Sequence, residues 1–442
     1  MRTYDYTARV TLAPSRQTIA ARPRLRTNML WTAAGNVTYA ACQWGMLAGI
    51  AKLGRPENVG DFALAMAIGA PVYMLTNLQL RSVQATDSKS LFRFSDYLWL
   101  RYLCTGLALL IIAGLAIVGR FTSEVNGVVL LVALAKAFEA VADVYYGALQ
   151  QRERLDIISV SLVIRGFASL LCLNGILILT GNLLFACAGL ALSWFAVLVF
   201  YDIPRTSALA SSHDCNHAAI RRLPAPDDLL RLVKVAAPLG VSMMLASLAI
   251  NLPRYFVEGA LGPRSLGIFA ALAYVMVAGT TVINAIGQSA TPRLGALFAN
   301  GMRTQFLALL SKLVACCLAL AALGMLAAAV SGKQMLTLLY RPEYAARLDV
   351  FLWLTAATGI GFVGNILGFA LTAARMFTQG ALCWLLITLI TYAGCAILIP
   401  RYGLRGAAWS TLLTSVAMCV TQGGLLVHQW RRQAIEARGG GQ

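Results

Sequence analysis

Residues 53–65 read LGRPENVGDFALA, and residues 261–273 read LGPRSLGIFAALA. Each stretch joins two apolar runs, the first between 28–50 and 59–80, the second between 232–252 and 266–288. Physical roles can be read for the shared letters. Gly54 and Gly262 can take a positive φ where a helix ends, and Pro56 and Pro263 suit a turn or a first helical position. Gly60 and Gly267 allow close approach where the next helix starts, and Phe62 and Phe269 are expected to anchor at a membrane interface. Chance convergence of two short helix turns is the rival explanation. The equivalent placement of both copies favours a duplicated half.

Working outward, 59% of the residues are hydrophobic and 12% charged, with a mean hydropathy of +0.71. Soluble globular chains are usually about 25% charged, so this is the composition of a membrane protein. A hydrocarbon core of about 30 Å needs roughly 20 apolar residues per crossing helix. Twelve such segments fit between residues 28 and 427, six on each side of a polar stretch. The expected architecture is an all-α integral membrane protein of two parallel six-helix bundles, related by a pseudo-two-fold axis along the membrane normal. The expected parts are a basic N-terminal tail (1–27), a first bundle (28–200), a linker (201–230), a second bundle (231–427) and a C-terminal tail (428–442). Pro204, Pro224 and Pro226, among clustered Ser, His and Asp, argue for the linker.

The net charge of +18 is spread over the flanks of the apolar segments rather than gathered on one soluble module, which argues against nucleic acid as a partner. With the N-terminus inside, the inner connections and tails hold more than twice as many Lys and Arg as the outer ones. Both termini are therefore expected in the cytoplasm. The polar N-terminal region precedes a full-length apolar span without a clear cleavage site, so no signal peptide is expected. Ten scattered cysteines show no CxxC or Cys/His ligand spacing and read as free, packed thiols.

Charge inside the spans is the main functional signal. On the fourth span, in AKAFEAVADVYYGALQQRERLD, Lys136, Glu139 and Asp143 share one face, which Gln150 continues. An ionised group at bilayer depth costs about 2.5–3.5 kcal/mol on insertion scales, so this stripe should face protein or water. Lys136 and Glu139 can pair at i,i+3, leaving Asp143 to seek another donor, for which Arg165 on the fifth span is the candidate. A network that only fastens helices together and a cavity lining that binds or exchanges charge both fit this stripe. Asn36 and Gln43 share a face of the first span, accompanied by Asn77, Gln79 and Arg81 on the second. In the second half, Thr281, Asn284 and Gln288 form one polar face, and Ser247, Asn251 and Arg254 another. Arg81 and Arg254 suit either lipid phosphate at the interface or a substrate phosphate.

Enzyme motifs are missing: the sequence has no nucleotide-binding G-x-x-x-x-G-K-[ST], no H-E-x-x-H and no G-x-S-x-G. His213 and His217 lie in the Ser/Asp-rich linker with no ligand set around them, and neither metal nor cofactor is expected.

The pieces GNVTYAACQWGMLAGIAKLG, VGDFALAMAIGAPVYMLTNLQLRSVQATD, AKAFEAVADVYYGALQQRERLDIISVSLVIRG, NLPRYFVEGALGPRSLGIFAALAYVMVAG and IGQSATPRL, followed by LLYRPEYA, together resemble the Wzx-type polysaccharide flippases. These belong to the multidrug/oligosaccharidyl-lipid/polysaccharide exporter superfamily. The resemblance implies twelve spans in a bacterial inner membrane and turnover of an undecaprenyl-pyrophosphate-linked oligosaccharide to the periplasmic leaflet by alternating access. It implies membrane lipids, a polysaccharide polymerase and a chain-length regulator as partners. By that analogy Arg81, Lys136, Arg165 and Arg254 would hold the pyrophosphate, while Glu139 and Asp143 would couple an ion, H+ or Na+, or poise those cations. An ion-coupled multidrug or organic-cation antiporter of the same superfamily is the alternative. A non-transporting scaffold of a polysaccharide assembly complex is a second.

Overall fold

A computed structural model of the protein describes residues 25–87, 92–119, 121–209, 225–374 and 376–439. The described residues are almost wholly helical. In chain order the elements are α1 (Leu25–Leu53), α2 (Pro56–Thr76), α3 (Leu80–Thr86), α4 (Phe94–Val118), α5 (Ser123–Gln151), α6 (Leu155–Thr180), α7 (Leu183–Val197) and α8 (Ile203–Leu209). They continue as α9 (Pro226–Val275), α10 (Val277–Ala299), α11 (Arg303–Leu339), α12 (Pro342–Ala345), α13 (Leu348–Ala373), α14 (Phe377–Tyr402) and α15 (Leu404–Gly439). Ten stretches among the described residues are helical, long enough and apolar enough to cross a membrane. This is a multi-pass, all-α membrane protein. Its outward rows, such as Leu107, Leu110, Ile117 and Val118 on α4 or Leu318, Leu323, Leu326 and Val330 on α11, are exposed leucines, isoleucines and valines that water would not tolerate in such density.

Local chemistry sets the helix ends. Thr122 caps α5 by accepting from the Val125 N–H at 3.4 Å, and Asn182 caps α7 by accepting from Leu184 at 2.8 Å. Asp96, in the first turn of α4, accepts from the Arg93 N–H at 2.8 Å. Two features depart from regular helix. Between α2 and α3, Leu78 and Gln79 both hold φ of 50°, a left-handed pair without glycine. Between α7 and α8, a π-helical turn over Leu198–Asp202 carries the helix onward. The first nine residues of the expected linker are therefore helical, and Asp202 is buried rather than exposed. The remainder of that linker, 210–224, with His213 and His217, lies outside the described residues, as do residues 1–24.

The repeated connectors lie against each other. A Cβ on Gly60 would stand 2.0 Å from the Pro263 carbonyl oxygen, and one on Gly267 would stand 1.9 Å from that of Pro56. The contact is reciprocal, as two-fold-related surfaces require. Only a residue without a side chain lets these backbones approach so closely. α9 bends at Gly262, where φ is 79°, so its last turns run beside α2. Gly54 does not share that conformation: its end of α1 closes with an ordinary bond from its N–H to the Ile50 carbonyl at 2.8 Å. Phe62 and Phe269 are each 3% exposed and sit in one core with Leu252, Val257 and Leu266. They fill the seam between the connectors instead of anchoring at an interface.

Candidate functional site

α5 is the spine of the charged region, and α1, α3, α4, α6 and α7 supply its partners. The i,i+3 pair forms: Lys136 Nζ lies 2.7 Å from Glu139 Oε2. The other Glu139 oxygen accepts from the Tyr39 hydroxyl of α1 at 2.8 Å. This group is only partly buried, so it can meet a solvated ligand.

Arg165 does not serve Asp143. It is fully buried and pairs at 2.7 Å with Asp202, which the π-helical turn directs inward. Ser161 donates to the second Asp202 oxygen, and Tyr146 shares a hydrogen bond of 2.7 Å with Ser161. A buried ion pair gains net stability only when its remaining valences are satisfied, and Ser161 does this for the carboxylate. Among the described residues the Arg165 Nε and Nη1 find no hydrogen-bond acceptor. Aromatic faces flank the guanidinium instead, Tyr146 at 5.6 Å and Trp194 at 5.8 Å. Those rings turn their other neighbours into a ladder: Arg81 lies 5.5 Å from Tyr146, and Lys136 lies 5.1 Å from Trp194. Each contact of this kind contributes roughly 0.5–2 kcal/mol.

Asp143 finds two guanidiniums. Arg81 approaches one oxygen at 3.4 Å and Arg101 of α4 the other at 3.5 Å. Arg81 also donates to Gln150 at 2.9 Å, so the predicted continuation of the stripe to Gln150 is met. Arg101 is fully buried and donates to Asn77. The left-handed Leu78–Gln79 pair places Asn77 before the break, toward Arg101, and Arg81 after it, toward Asp143. The three groups differ in charge. Lys136 with Glu139 and Arg165 with Asp202 are neutral, while Arg81 and Arg101 against Asp143 leave one positive charge over.

The remaining candidates are not brought into this constellation. Asn36 is exposed on α1, and Gln43, half-buried one turn beyond Tyr39, has an amide nitrogen without a partner. Arg254 donates to Asn251, which donates in turn to the Ser247 carbonyl at 2.8 Å, so that face closes on its own helix. Asn284 is half-buried and Gln288 exposed on α10, and neither joins any bond above. Sequence reading missed Arg101, Asp202 and Tyr39. Arg101 and Asp202 fall at span ends, where charges are ordinary, and Tyr39 reads as one more packing aromatic. Among the described residues no group of three or more His, Cys, Asp or Glu could hold a metal ion.

The fold and this half-buried charge cluster define a class: a multi-pass protein with the fold of the MOP-superfamily transporters. Inward-facing and outward-facing structures of a multidrug resistance MATE family transporter of that superfamily align over 91% and 92% of this chain and 96% and 95% of theirs. Their TM-scores are 0.60 and 0.58 and their identities 16% and 14%. The Vibrio cholerae MATE transporter VcmN aligns over 93% of this chain and 96% of its own, with a TM-score of 0.63 at 12% identity. The family is given by sequence: residues 25–298 match the polysaccharide biosynthesis protein family model, and the chain belongs to that family. The capsular polysaccharide biosynthesis protein CapF of Staphylococcus aureus is 27% identical over 393 residues, 87% of this chain and 95% of the relative.

Proposed function

We propose that this protein is a flippase for an undecaprenyl-pyrophosphate-linked oligosaccharide, carrying it from the cytoplasmic to the periplasmic leaflet of a bacterial inner membrane by alternating access. The observation that carries the reading is the surplus positive charge of the half-buried cluster on α5, in a chain of the polysaccharide biosynthesis family. A pyrophosphate needs fixed cations in a partly desolvated place, and guanidinium binds it through paired hydrogen bonds. Lys136 and Arg81 offer such cations on the same face of the bundle. From Lys136 to Gln150, where Arg81 is tied, α5 rises about 21 Å, a large part of a bilayer.

Twelve crossings fit this function. α1 adds one to the ten membrane-length stretches, and the bend at Gly262 splits α9, so that its last turns with α10 add another. The reciprocal Gly60 and Gly267 contact supports two parallel six-helix bundles, and the excess of Lys and Arg in the inner connections supports both termini on the cytoplasmic side. Glu139 is then the residue through which H+ or Na+ would couple, since neutralising it frees Lys136. A polysaccharide polymerase and a chain-length regulator remain the proposed partners.

The second reading, an ion-coupled multidrug or organic-cation antiporter, is favoured by the fold likeness to multidrug transporters. Glu139 and Asp143 would then hold a cation. Reconstitution separates the two. Proteoliposomes loaded with a polyprenyl-pyrophosphate-linked sugar should expose it to an external glycosidase at a rate that a proton or sodium gradient alters, and Lys136→Gln should stop this. Gradient-driven ethidium transport without sugar exposure would replace the first reading with the second.

A further inference from the structure

Of the three carboxylate–cation groups on and beside α5, one has slack. Lys136–Glu139 and Arg165–Asp202 are closed at 2.7 Å, and the second oxygen of each carboxylate takes a hydroxyl, from Tyr39 and Ser161. Asp143 instead stands 3.4 Å from Arg81 and 3.5 Å from Arg101, beyond the roughly 2.7–2.9 Å of a charge-assisted hydrogen bond. It accepts one long bond, from Arg81 Nη1, and none from Arg101. Arg101 is the side with unmet demand: its guanidinium is fully buried, Nη1 is spent on Asn77, and Nε and Nη2 have no hydrogen-bond acceptor among the described residues. Idle donors at full burial are costly, and Asp143, 3.5 Å from Nη2, is a carboxylate able to satisfy them. Arg81 is the free side. About a third of it is exposed (34%), with Gln150 on Nε, Asp143 held at 3.4 Å on Nη1 and Tyr146 behind its plane, so Nη2 can turn to a ligand and Nη1 can follow once Asp143 leaves.

We propose that Asp143 is an exchangeable carboxylate. A phosphate group of the transported molecule takes Arg81, and Asp143 moves the fraction of an ångström onto the idle donors of Arg101. On release it returns to Arg81 and displaces the phosphate. Arg81 is the residue that touches ligand, and Arg101 is a positioning residue that acts through Asp143. Without Arg101, freeing Arg81 would strand a half-buried carboxylate, and the stripe would hold Arg81 shut. This exchange rests on the anionic-substrate reading, but it concerns the anion site alone and is tested by an anion without lipid or sugar.

The protein in lipid nanodiscs is titrated calorimetrically with inorganic pyrophosphate and with farnesyl diphosphate, farnesol serving as control. Asp143→Asn removes the competitor for Arg81 and is expected to tighten pyrophosphate binding about two- to fivefold, the size of a solvent-facing ion pair. Arg101→Lys keeps the charge but loses the fork, and is expected to weaken binding about tenfold. Combined with Asp143→Asn it should bind as Asp143→Asn alone does, a rescue that damage to packing would not allow. Weaker binding by Asp143→Asn overturns the exchange, as does an unrescued double variant or a wild-type chain that binds neither diphosphate. If Arg101→Lys does not fold, the sign of the Asp143→Asn effect decides. A chain that passes these tests yet moves no lipid-linked sugar sinks the flippase reading and leaves the exchange standing.

Discussion

The two proposed halves agree at their connectors and differ inside. At the connectors each copy presents a glycine to the other copy's proline carbonyl, and each buries a phenylalanine in the shared seam. Inside the first half stand three carboxylate–cation groups laced together by Tyr146 and Trp194. The second half holds its described ion pairs, Arg264–Glu343 and Arg405–Asp349, near its connector end with exposed arginines. Its α10, α11 and α13 line an open apolar pocket of about 200 Å3 between residues such as Leu320, Met335, Phe351 and Phe362. The difference teaches what each constraint is for. Backbone approach leaves no freedom in side chain, so both copies keep it, whereas side chains lining an interior are free to diverge until one half carries the charge chemistry.

The comparison breaks most forcefully at the buried pair. Arg165→Met strands Asp202 in a fully buried place, and removing one partner of such a pair typically costs about 3–5 kcal/mol. The expected result is a large fall in the melting temperature of the purified protein, with little protein recovered from membranes. The double change Arg165→Met with Asp202→Leu should recover most of that stability without restoring transport. Next in size is the seam. Gly60→Ala drives a methyl into the Pro263 carbonyl, and Gly267→Ala into that of Pro56, so backbone must move in either case. A loss of about 2–4 kcal/mol is expected from each, within the range for backbone strain and overpacking. If the seam is two-fold, the two variants should melt within a few degrees of each other, and a large inequality would break the symmetry argument.

Smaller still in stability, but sharper for function, is Lys136→Gln. Its pair with Glu139 is partly exposed and contributes no more than about 1 kcal/mol to folding, so the melting temperature should barely move. Exposure of lipid-linked sugar in proteoliposomes should nevertheless fall by more than tenfold. Equal activity would return the stripe to a role in fastening helices.

These contrasts follow the boundary of what the chain makes legible. The likeness of the two connectors is legible because a glycine forced by close approach leaves a letter at both places, and the Lys136–Glu139 pair because helical spacing alone brings it together. Asp143 could be seen to need a donor, but not which donor. Arg165 is the cation inside the next span and so the candidate the sequence offers, but the π-helical turn that delivers Asp202 to it has no signature in LVFYD. The break at Leu78–Gln79 is equally silent, since neither residue favours a left-handed backbone, and tertiary contacts impose it. One of these is at Gly240 of α9, where an added Cβ would stand 2.8 Å from the Leu75 carbonyl oxygen. Phe62 and Phe269 were misplaced for the converse reason: an aromatic near a span end satisfies an interface and a packed seam alike.

The smallest effect is expected where the second half's polar face stands. Asn284→Ala and Gln288→Ala remove groups that are half-buried and exposed and that join none of the bonds of the charged cluster. Surface changes away from such networks usually stay within about 0.5 kcal/mol, so melting should not shift. Transport should drop by less than threefold if the charge chemistry resides in the first half alone. Should either variant instead slow sugar exposure as strongly as Lys136→Gln while still binding pyrophosphate normally, the second half would be the place that reads the uncharged sugar. The division between the halves would then be one of cation and carbohydrate rather than of active and inert walls.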